Sequence, residues 1–337
     1  MEVKVLSKAD IIKVVDMKRI VTGVEEVYRL KSRGETEVWP TVIYEFTPGK
    51  EDVDIKSGFL KSAKIFGHKT VASFTTNKSR GLPDLIGVIV VYDANTGAPL
   101  GILDAAYITG IRTGAAGAIG AKYLARENSK NLLILGTGNQ ATFQIAAMLT
   151  CFDGLEKIRV ANAIHPDKAV DFVSGIKETL KKEFGLSCEN TSFEAVNNLE
   201  EAVSDSDIII TITPSREPLI KRAWVKSGTH FSCIGADISG KEEIDPVILR
   251  DAKIYVDDKT HCIEVGEIEI PLKTGIISEK DITGEIGDLL EGKIIGRSNE
   301  EEITVFDATG LALLDIAAAK TALDLATEKA LGSNVNL

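Results

Sequence analysis

The sequence predicts an α/β protein in which a doubly wound parallel sheet is inserted into a discontinuous α+β domain, and three observations carry that expectation. Short β-branched and aromatic runs dominate up to about Leu103. From Thr113 onward strand and helix patterns alternate. After Phe306 an Ala/Leu-rich helical stretch follows with no strand to pair with. Alternation in an open sheet means parallel strands joined by crossover helices. The expected boundaries are residues 1–112 plus 310–337 for the split domain and 113–309 for the insertion.

In chain order, a Ser7-Lys-Ala-Asp10 capping sequence opens an amphipathic helix that runs to Leu30 and is stopped by Gly34. Strands are expected at Val38–Phe46, Val53–Leu60, Lys69–Phe74, Leu85–Tyr92 and Pro99–Leu103, punctuated by the turns Thr47–Lys50 and Asp93–Gly97. They read as an antiparallel sheet with helices on one side. The insertion offers strands at Asn131–Leu135, Lys157–Ala161, Asp207–Thr213, His230–Gly235, Ala252–Val256 and Ile303–Phe306, with helices such as Gln140–Leu149 and Pro166–Glu183 between them. The continuous apolar runs at 132–135 and 208–212 are what strands covered on both faces look like. A last helix, Leu311–Leu331, is expected to pack back on the first domain.

Composition narrows the function classes. A chain of 337 residues, 44% hydrophobic and 26% charged, can form two domains with a site shielded from water, which excludes a disulfide-stapled miniprotein or a disordered tail. A net charge of −11 with its acids spread along the chain argues against nucleic acid, and the partner is expected to be small. No apolar run approaches the roughly 18–20 residues of a membrane span. The start, MEVKVLS, lacks the basic-then-apolar shape of a secretion signal, so a cytoplasmic location is expected. Cys151, Cys188, Cys233 and Cys262 show no Cys-x-x-Cys spacing and read as four buried reduced thiols; the four histidines are equally scattered, and no metal site is expected.

The chemistry starts at Gly136-Thr-Gly138-Asn139-Gln140-Ala141, which follows an apolar strand and opens a helix. Gly136 permits the tight turn, Gly138 lets backbone N–H groups approach a pyrophosphate, and the small Ala141 allows close helix packing. In that context the motif predicts a Rossmann-type dinucleotide site, with Asn139 and Gln140 at the helix start. The acid that usually caps the next strand and holds the ribose is absent; Asn162 stands there, with Arg159, His165 and Lys168 near in sequence. Asn162 can hydrogen-bond a ribose hydroxyl, so NAD is the expected cofactor and NADP the alternative.

The segments IRTGAAGA (111–118) and LLILGTGNQA (132–141) resemble the ornithine cyclodeaminase/mu-crystallin family, which includes archaeal-type alanine dehydrogenases and imine or ketimine reductases. GHKTVASFTTN (67–77), RGLP (80–83), IGADISGKEEI (234–244) and ITVFDATGLALLD (303–315) extend the resemblance over most of the chain. It implies an N-terminal substrate and dimerisation domain completed by the C-terminal helix, and hence a homodimer. It implies that Lys69 and Arg112 hold the substrate carboxylate, with Arg112 and Thr113 beside the nicotinamide, and that Asp237 faces the substrate amine. A guanidinium and an ammonium can offset the desolvation of a carboxylate, and an acid at a strand end can hold an ammonium or act as general acid/base. The resemblance also places Lys241, Thr213 and Phe231, Ser232, Cys233 and Ile234 on the cofactor side, and Thr309 on the substrate side.

The sequence departs from the family pattern at three points. Thr41 or a neighbour replaces an arginine, Lys56-Ser57 replaces Met-Pro, and Asp84 replaces a threonine. Lys56 either substitutes for the missing arginine, reaches a second acidic group, or is an exposed strand lysine. These departures count against ornithine. The expected activity is NAD(P)-dependent oxidation or reduction at the C–N unit of a small amino or imino acid, as an amino-acid dehydrogenase or imine reductase. A cyclodeaminase is the alternative, and a non-catalytic holder of nicotinamide and a small ligand is the third reading.

Overall fold

A computed structural model describes residues 1–47 and 50–337. The chain forms two compact units, Met1–Arg112 with Leu311–Leu337, and Thr113–Gly310. The first unit begins with β1 (Glu2–Leu6), α1 (Lys8–Val14) and α2 (Met17–Ser32), then β2 (Thr36–Val38), β3 (Val42–Thr47), β4 (Glu51–Leu60), β5 (Ile65–Phe74), β6 (Leu85–Asp93) and β7 (Pro99–Asp104). Helix α3 (Ala105–Leu124) leaves it and runs into the second unit.

Ser7 and Asp10 form a reciprocal capping box on α1. The single helix expected to reach Leu30 is instead two. Val15 and Asp16 are extended, and the Asp16 carboxylate accepts from Arg19 N to start α2. The strand expected at Val38–Phe46 is likewise broken between Val38 and Val42, where Pro40 has no N–H to offer a ladder. The Thr47–Lys50 turn includes Pro48 and Gly49, which lie outside the described residues. Strands β4 to β7 pair antiparallel, but β1 pairs with β7 in parallel, a departure from the all-antiparallel expectation. Lys56 in β4 stands opposite Lys69 in β5, so both side chains leave the same face.

In the second unit come β8 (Asn131–Leu135), α4 (Asn139–Cys151), β9 (Lys157–Ala161), α5 (Pro166–Phe184), β10 (Ser192–Ala195), α6 (Leu199–Asp205), β11 (Ile208–Thr211), β12 (Arg216–Ile220), β13 (His230–Cys233) and β14 (Glu242–Ile244). There follow α7 (Pro246–Asp251), β15 (Ala252–Val256), α8 (Lys259–Val265), α9 (Glu269–Lys273), β16 (Ile282–Glu285), α10 (Ile286–Leu290) and β17 (Ile303–Asp307). The main sheet is parallel throughout, in the order β10-β9-β8-β11-β13-β17-β15-β16, while β12 and β14 form a separate pair. Leu133, Ile209, Phe231 and Val305 are fully buried in its core, each such side chain contributing about 1.5–3 kcal/mol on transfer from water. The chain runs outward from β8 in both directions, which opens a crevice at the strand ends between β8 and β11. The edge strands β10 and β16 were not expected: their sequences, Ser-Phe-Glu-Ala and Ile-Thr-Gly-Glu, are short and half polar.

The chain then returns to the first unit as α11 (Ala312–Glu328) and β18 (Ser333–Asn336). The last helix is therefore shorter than expected and does have a following strand, which pairs antiparallel with β1. The completed sheet runs β18-β1-β7-β6-β5-β4-β2, with β3 also on β4. Helix α11 lies across β4, β5 and β6 and against α2. Glycines permit the approach: a Cβ on Gly58 would stand 2.8 Å from Leu313 Cδ2, and one on Gly101 would collide with Leu323. Away from that helix, Trp39, Tyr44, Phe46, Ile86 and Val88 are exposed. None of the four cysteines is in a disulfide; Cys188, Cys233 and Cys262 are buried, but Cys151 is partly exposed, against expectation. Among the described residues no helix is long and apolar enough to cross a membrane.

Candidate active site

The first unit assembles a buried charge cluster on the face of the sheet that α11 covers. Lys69 from β5 and Arg112 from α3 are 4% and 6% exposed, and both reach Asp315 of α11, which is fully buried. Lys69 Nζ lies 3.0 Å from Asp315 Oδ2, and Arg112 Nε donates to Oδ1 at 3.0 Å. Thr109 Oγ1, one turn before Arg112, donates to Oδ1 at 3.5 Å. Burial pushes the Lys69 ammonium down to about 8, against the pull of Asp315 and with added repulsion from Arg112 and Lys56. Burial alone would raise the Asp315 carboxyl, but Arg112 and Lys69 more than offset that and hold it below the usual carboxylate range.

Lys56 is buried beside Lys69, which removes the exposed-lysine reading, and its Nζ lies 3.9 Å from Asp54 Oδ2. Asp84, the added acid, is answered at the surface by Lys78 at 2.7 Å. Thr41 is half-buried. Asp315 was missed by sequence reasoning, although a lone carboxylate in the apolar run Leu311–Ala319 was the signal that could have found it.

The second unit holds a cavity of about 390 Å³ at the β8/β11 crevice, walled by Gly136, Gly138, Asn162, Lys168, Thr213 and Ser215 among others. Gly136 has φ +126°, and a Cβ there would meet the Ile212 side chain and carbonyl at 2.9 Å, so only glycine fits the turn. At Gly138 a Cβ would meet nothing within 4 Å, which leaves open space at the first turn of α4. Among the described residues no side chain caps that helix. Open space beside uncapped N–H groups at a positive helix end fits a pyrophosphate.

Asn162 is already engaged. Its Nδ2 donates to Thr137 Oγ1 at 2.8 Å, and its Oδ1 accepts from the N–H groups of Ile164 and His165 at 3.2 and 2.9 Å. It shapes the loop at the mouth, and its second amide hydrogen is what it can offer a ribose. Arg159 points away, paired with Asp205 at 2.7 Å and Glu194 at 3.4 Å. His165 and Lys168 do line the cavity, and among the described residues no carboxylate does. Pro214, Ser215 and Leu219, not foreseen, complete the wall after β11; a Thr-Pro-Ser turn at a strand end was the available signal.

Other residues expected on the cofactor side are not in the wall of this cavity. Phe231, Ser232 and Cys233 lie within β13, which ends at Cys233 and not at Gly235, and all are buried. Phe231 and Cys233 pack in the core, and Ser232 Oγ donates to Gly117 O at 2.9 Å. Ile234 is buried, its N–H donated to Thr211 O. Thr113 is buried with its carbonyl accepting from Gln144 at 3.0 Å, and Ala141 is buried in α4. Asn139 and Gln140 sit on the first turn of α4.

Asp237 follows β13 in an exposed segment, and its Oδ1 lies 2.5 Å from Lys241 Nζ, which also donates to Gly235 O at 3.3 Å. Thr309, just past β17, is buried, with its Oγ1 2.7 Å from His261 Nδ1 and donating to Asp257 Oδ1 at 3.3 Å. The strand ends of this sheet thus gather the cavity beside the Gly136 turn, the Asp237–Lys241 pair and the Thr309–His261–Asp257 network.

Residues 1–330 match the model of the ornithine cyclodeaminase/mu-crystallin family. An alanine dehydrogenase of Archaeoglobus fulgidus is 38% identical over 335 residues, covering 99% of this chain and 98% of that protein. The solved structure of an archaeal alanine dehydrogenase dimer with bound NAD superposes with a TM-score of 0.89 at 37% identity, covering all of both chains. The Δ1-pyrroline-2-carboxylate reductase of Thermococcus litoralis, solved with NADH and L-proline, gives 0.90 at 33% identity and covers 98% of this chain and 100% of that one. A Rossmann-type sheet, a glycine turn at an uncapped helix, and a lysine on β5 buried with an arginine on α3 are joined by similarity over nearly the whole chain, and the protein belongs to the ornithine cyclodeaminase/mu-crystallin family.

Proposed function

We propose that this protein is an NAD-dependent oxidoreductase acting on the CH–NH2 or C=N unit of a small amino or imino acid, as an amino-acid dehydrogenase or imine reductase. The observation that carries the reading is the pair of buried cations, Lys69 and Arg112, on one anchor, Asp315. Burying cationic side chains is costly unless an anion meets them, and an α-carboxylate is the anion this chemistry brings. Arg112 supplies a planar fork and Lys69 a point charge, which together fix the carboxylate and therefore the direction of the Cα–H bond. Asp237 takes up or returns the proton of the amine as the C–N unit changes order. Bound at the cavity of the second unit, the nicotinamide would accept or donate the hydride. The family resemblance also supports Thr309 as a substrate-side group and Lys241 as a cofactor-side group. The cation pair would place the first unit in the role of substrate domain, and the relatives solved with NAD or NADH support NAD, with NADP the alternative because lysine and histidine line the cavity. A homodimer is supported by the exposed aromatic and aliphatic face of the first unit and by the archaeal relative solved as a dimer; sedimentation of the purified protein tests it. Four cysteines outside any disulfide support a cytoplasmic location, which fractionation of cells tests.

The deciding experiment offers purified protein NAD and NADP with a panel of amino acids, then 2-oxo acids with ammonia or methylamine and cyclic imines, while reduced nicotinamide is followed by absorbance. Net reduction with an amino acid, or oxidation with an imine, is expected. Ammonia release without net cofactor change would identify a cyclodeaminase, and firm cofactor binding with no turnover anywhere would overturn the enzyme reading.

The pH profile follows from Lys69. With its ammonium held to about 8, KM for the amino acid is expected to rise as pH passes upward through about 8, because the carboxylate loses one of its cations. Stability moves the other way. Between about 8 and the ordinary lysine value of 10.5 the unfolded chain binds a proton at this site that the folded chain has released. Stability from this group therefore rises with pH across that window, and its penalty is complete below it. An alkaline KM that stays flat would remove Lys69 from carboxylate binding.

A further inference from the structure

The second unit buries carboxylates that the proposed chemistry does not use. Glu243 in β14 is fully buried, and each of its oxygens accepts a backbone N–H from a different loop. Oε1 accepts from Thr213 at 2.6 Å and Oε2 from Gly235 at 3.1 Å. Thr213 belongs to the wall of the dinucleotide cavity, and Gly235 opens the segment that carries Asp237. Position 235 has no room for a side chain, because a Cβ would fall on Glu243 Oε2. The carbonyl of Gly235 is held in turn by Lys241. The far end of the same segment rests on a second buried carboxylate: Glu269 accepts from Ser239 Oγ, and from Gly240 N at 2.8 Å. Residues 235–241 are thus slung between two buried acids, and Glu243 also reaches the cavity wall.

We infer that Glu243 is a positioning residue which couples the Thr213 wall of the cavity to the segment carrying Asp237, so that one rigid side chain sets the distance between bound cofactor and acid. This rests on the proposed role of Asp237. Burial pushes the Glu243 carboxyl up to about 7, against the hydrogen bonds from Thr213 and Gly235 that pull it down. An amide would avoid that burden but could satisfy only one of the two N–H groups and would turn an NH2 against the other. Two loops moving independently would lose the near-attack geometry on which hydride transfer depends.

A neighbouring residue supplies an internal control. Glu267 is equally buried, yet its single Oε1 accepts both Glu243 N at 2.7 Å and Ile244 N at 2.8 Å. Its Oε2 has no hydrogen-bond partner among the described residues. Glutamine at 267 keeps every bond that glutamate makes, whereas glutamine at 243 cannot.

The test compares E243Q and E267Q in the full chain. In E243Q, kcat is expected to fall by about ten- to a hundredfold. The dissociation constant of reduced nicotinamide, read by its fluorescence, should shift by less than about threefold, which separates loss of alignment from loss of binding. Backbone amide exchange at Thr213, Ser215 and 235–241 should speed up in E243Q and stay unchanged in E267Q, whose kcat should match the parent protein. Equal losses in both variants, or an E243Q protein with unchanged kcat and exchange, would overturn the inference. Should E243Q not fold, exchange in the parent protein decides: the amides of Thr213 and Gly235 must be the slowest in their loops, and exchange at the rate of their neighbours counts against the clamp. A parent protein without turnover would remove the proposed function, and the exchange data would still decide the clamp.

Discussion

Replacing Asp315 with alanine is expected to destabilise the protein by about 3–5 kcal/mol, because it leaves Lys69 and Arg112 buried without their anion. The carboxylate is fully buried, and its oxygens hold one cation each at 3.0 Å. The loss should be largest near neutral pH and smaller in alkali. Asp315 is the main influence holding the Lys69 proton on against burial, so without it Lys69 discharges at lower pH and the penalty relaxes. Urea unfolding at pH 7 and pH 9 reads both effects. Asp315→Asn keeps the shape and one acceptor, and should fall between the two. A D315A protein as stable as its parent at pH 7 would show that the cluster does not hold the first unit together.

Asp237→Ala is expected to lower turnover by about 10²- to 10⁴-fold, the range for loss of a positioned general acid/base. Stability should barely change: Asp237 is 48% exposed and its ion pair with Lys241 lies at the surface, where such pairs contribute about 0–1 kcal/mol. Cofactor affinity should also hold, since Asp237 is not in the wall of the dinucleotide cavity. Turnover, nicotinamide binding and thermal unfolding measured on one preparation separate these effects. Activity retained in D237A would refute its part in the proton step, and Asp237→Asn, which keeps the shape without the titrating proton, should be as inactive as alanine.

The second unit was the more legible part of the chain. The runs at Asn131–Leu135, Lys157–Ala161 and Ala252–Val256 form strands with those same bounds, and in the first of them four consecutive buried apolar residues leave the continuous signal of a strand covered on both faces. The edges were less legible: β10 and β16 bury little, so nothing in their sequences forces a pattern. In the first unit, the breaks at Val15–Asp16 and near Pro40 are local events inside patterns that look continuous at longer range. The site divides in the same way. Gly136 and Gly138 were readable because backbone geometry demands them there, whereas Asp315 meets Arg112 across 203 positions of sequence, and no local pattern records that contact. Phe231 to Cys233 were expected on the cofactor side through the family resemblance alone; the strand that carries them ends two residues earlier than its sequence pattern suggested, and their side chains are buried.

The close seating of α11 has a consequence for how this chain tolerates change. Asp315 reaches Lys69 and Arg112 because Gly58 and Gly101 put nothing beneath Leu313 and Leu323. Adding a single carbon at either position would lift the helix like a shim under a beam, and charged groups several residues away would lose registry with no polar atom altered. In a survey of all substitutions, these mute positions should rank beside the ionic ones. The precision of the charged cluster is set in part by where the chain has no side chain at all.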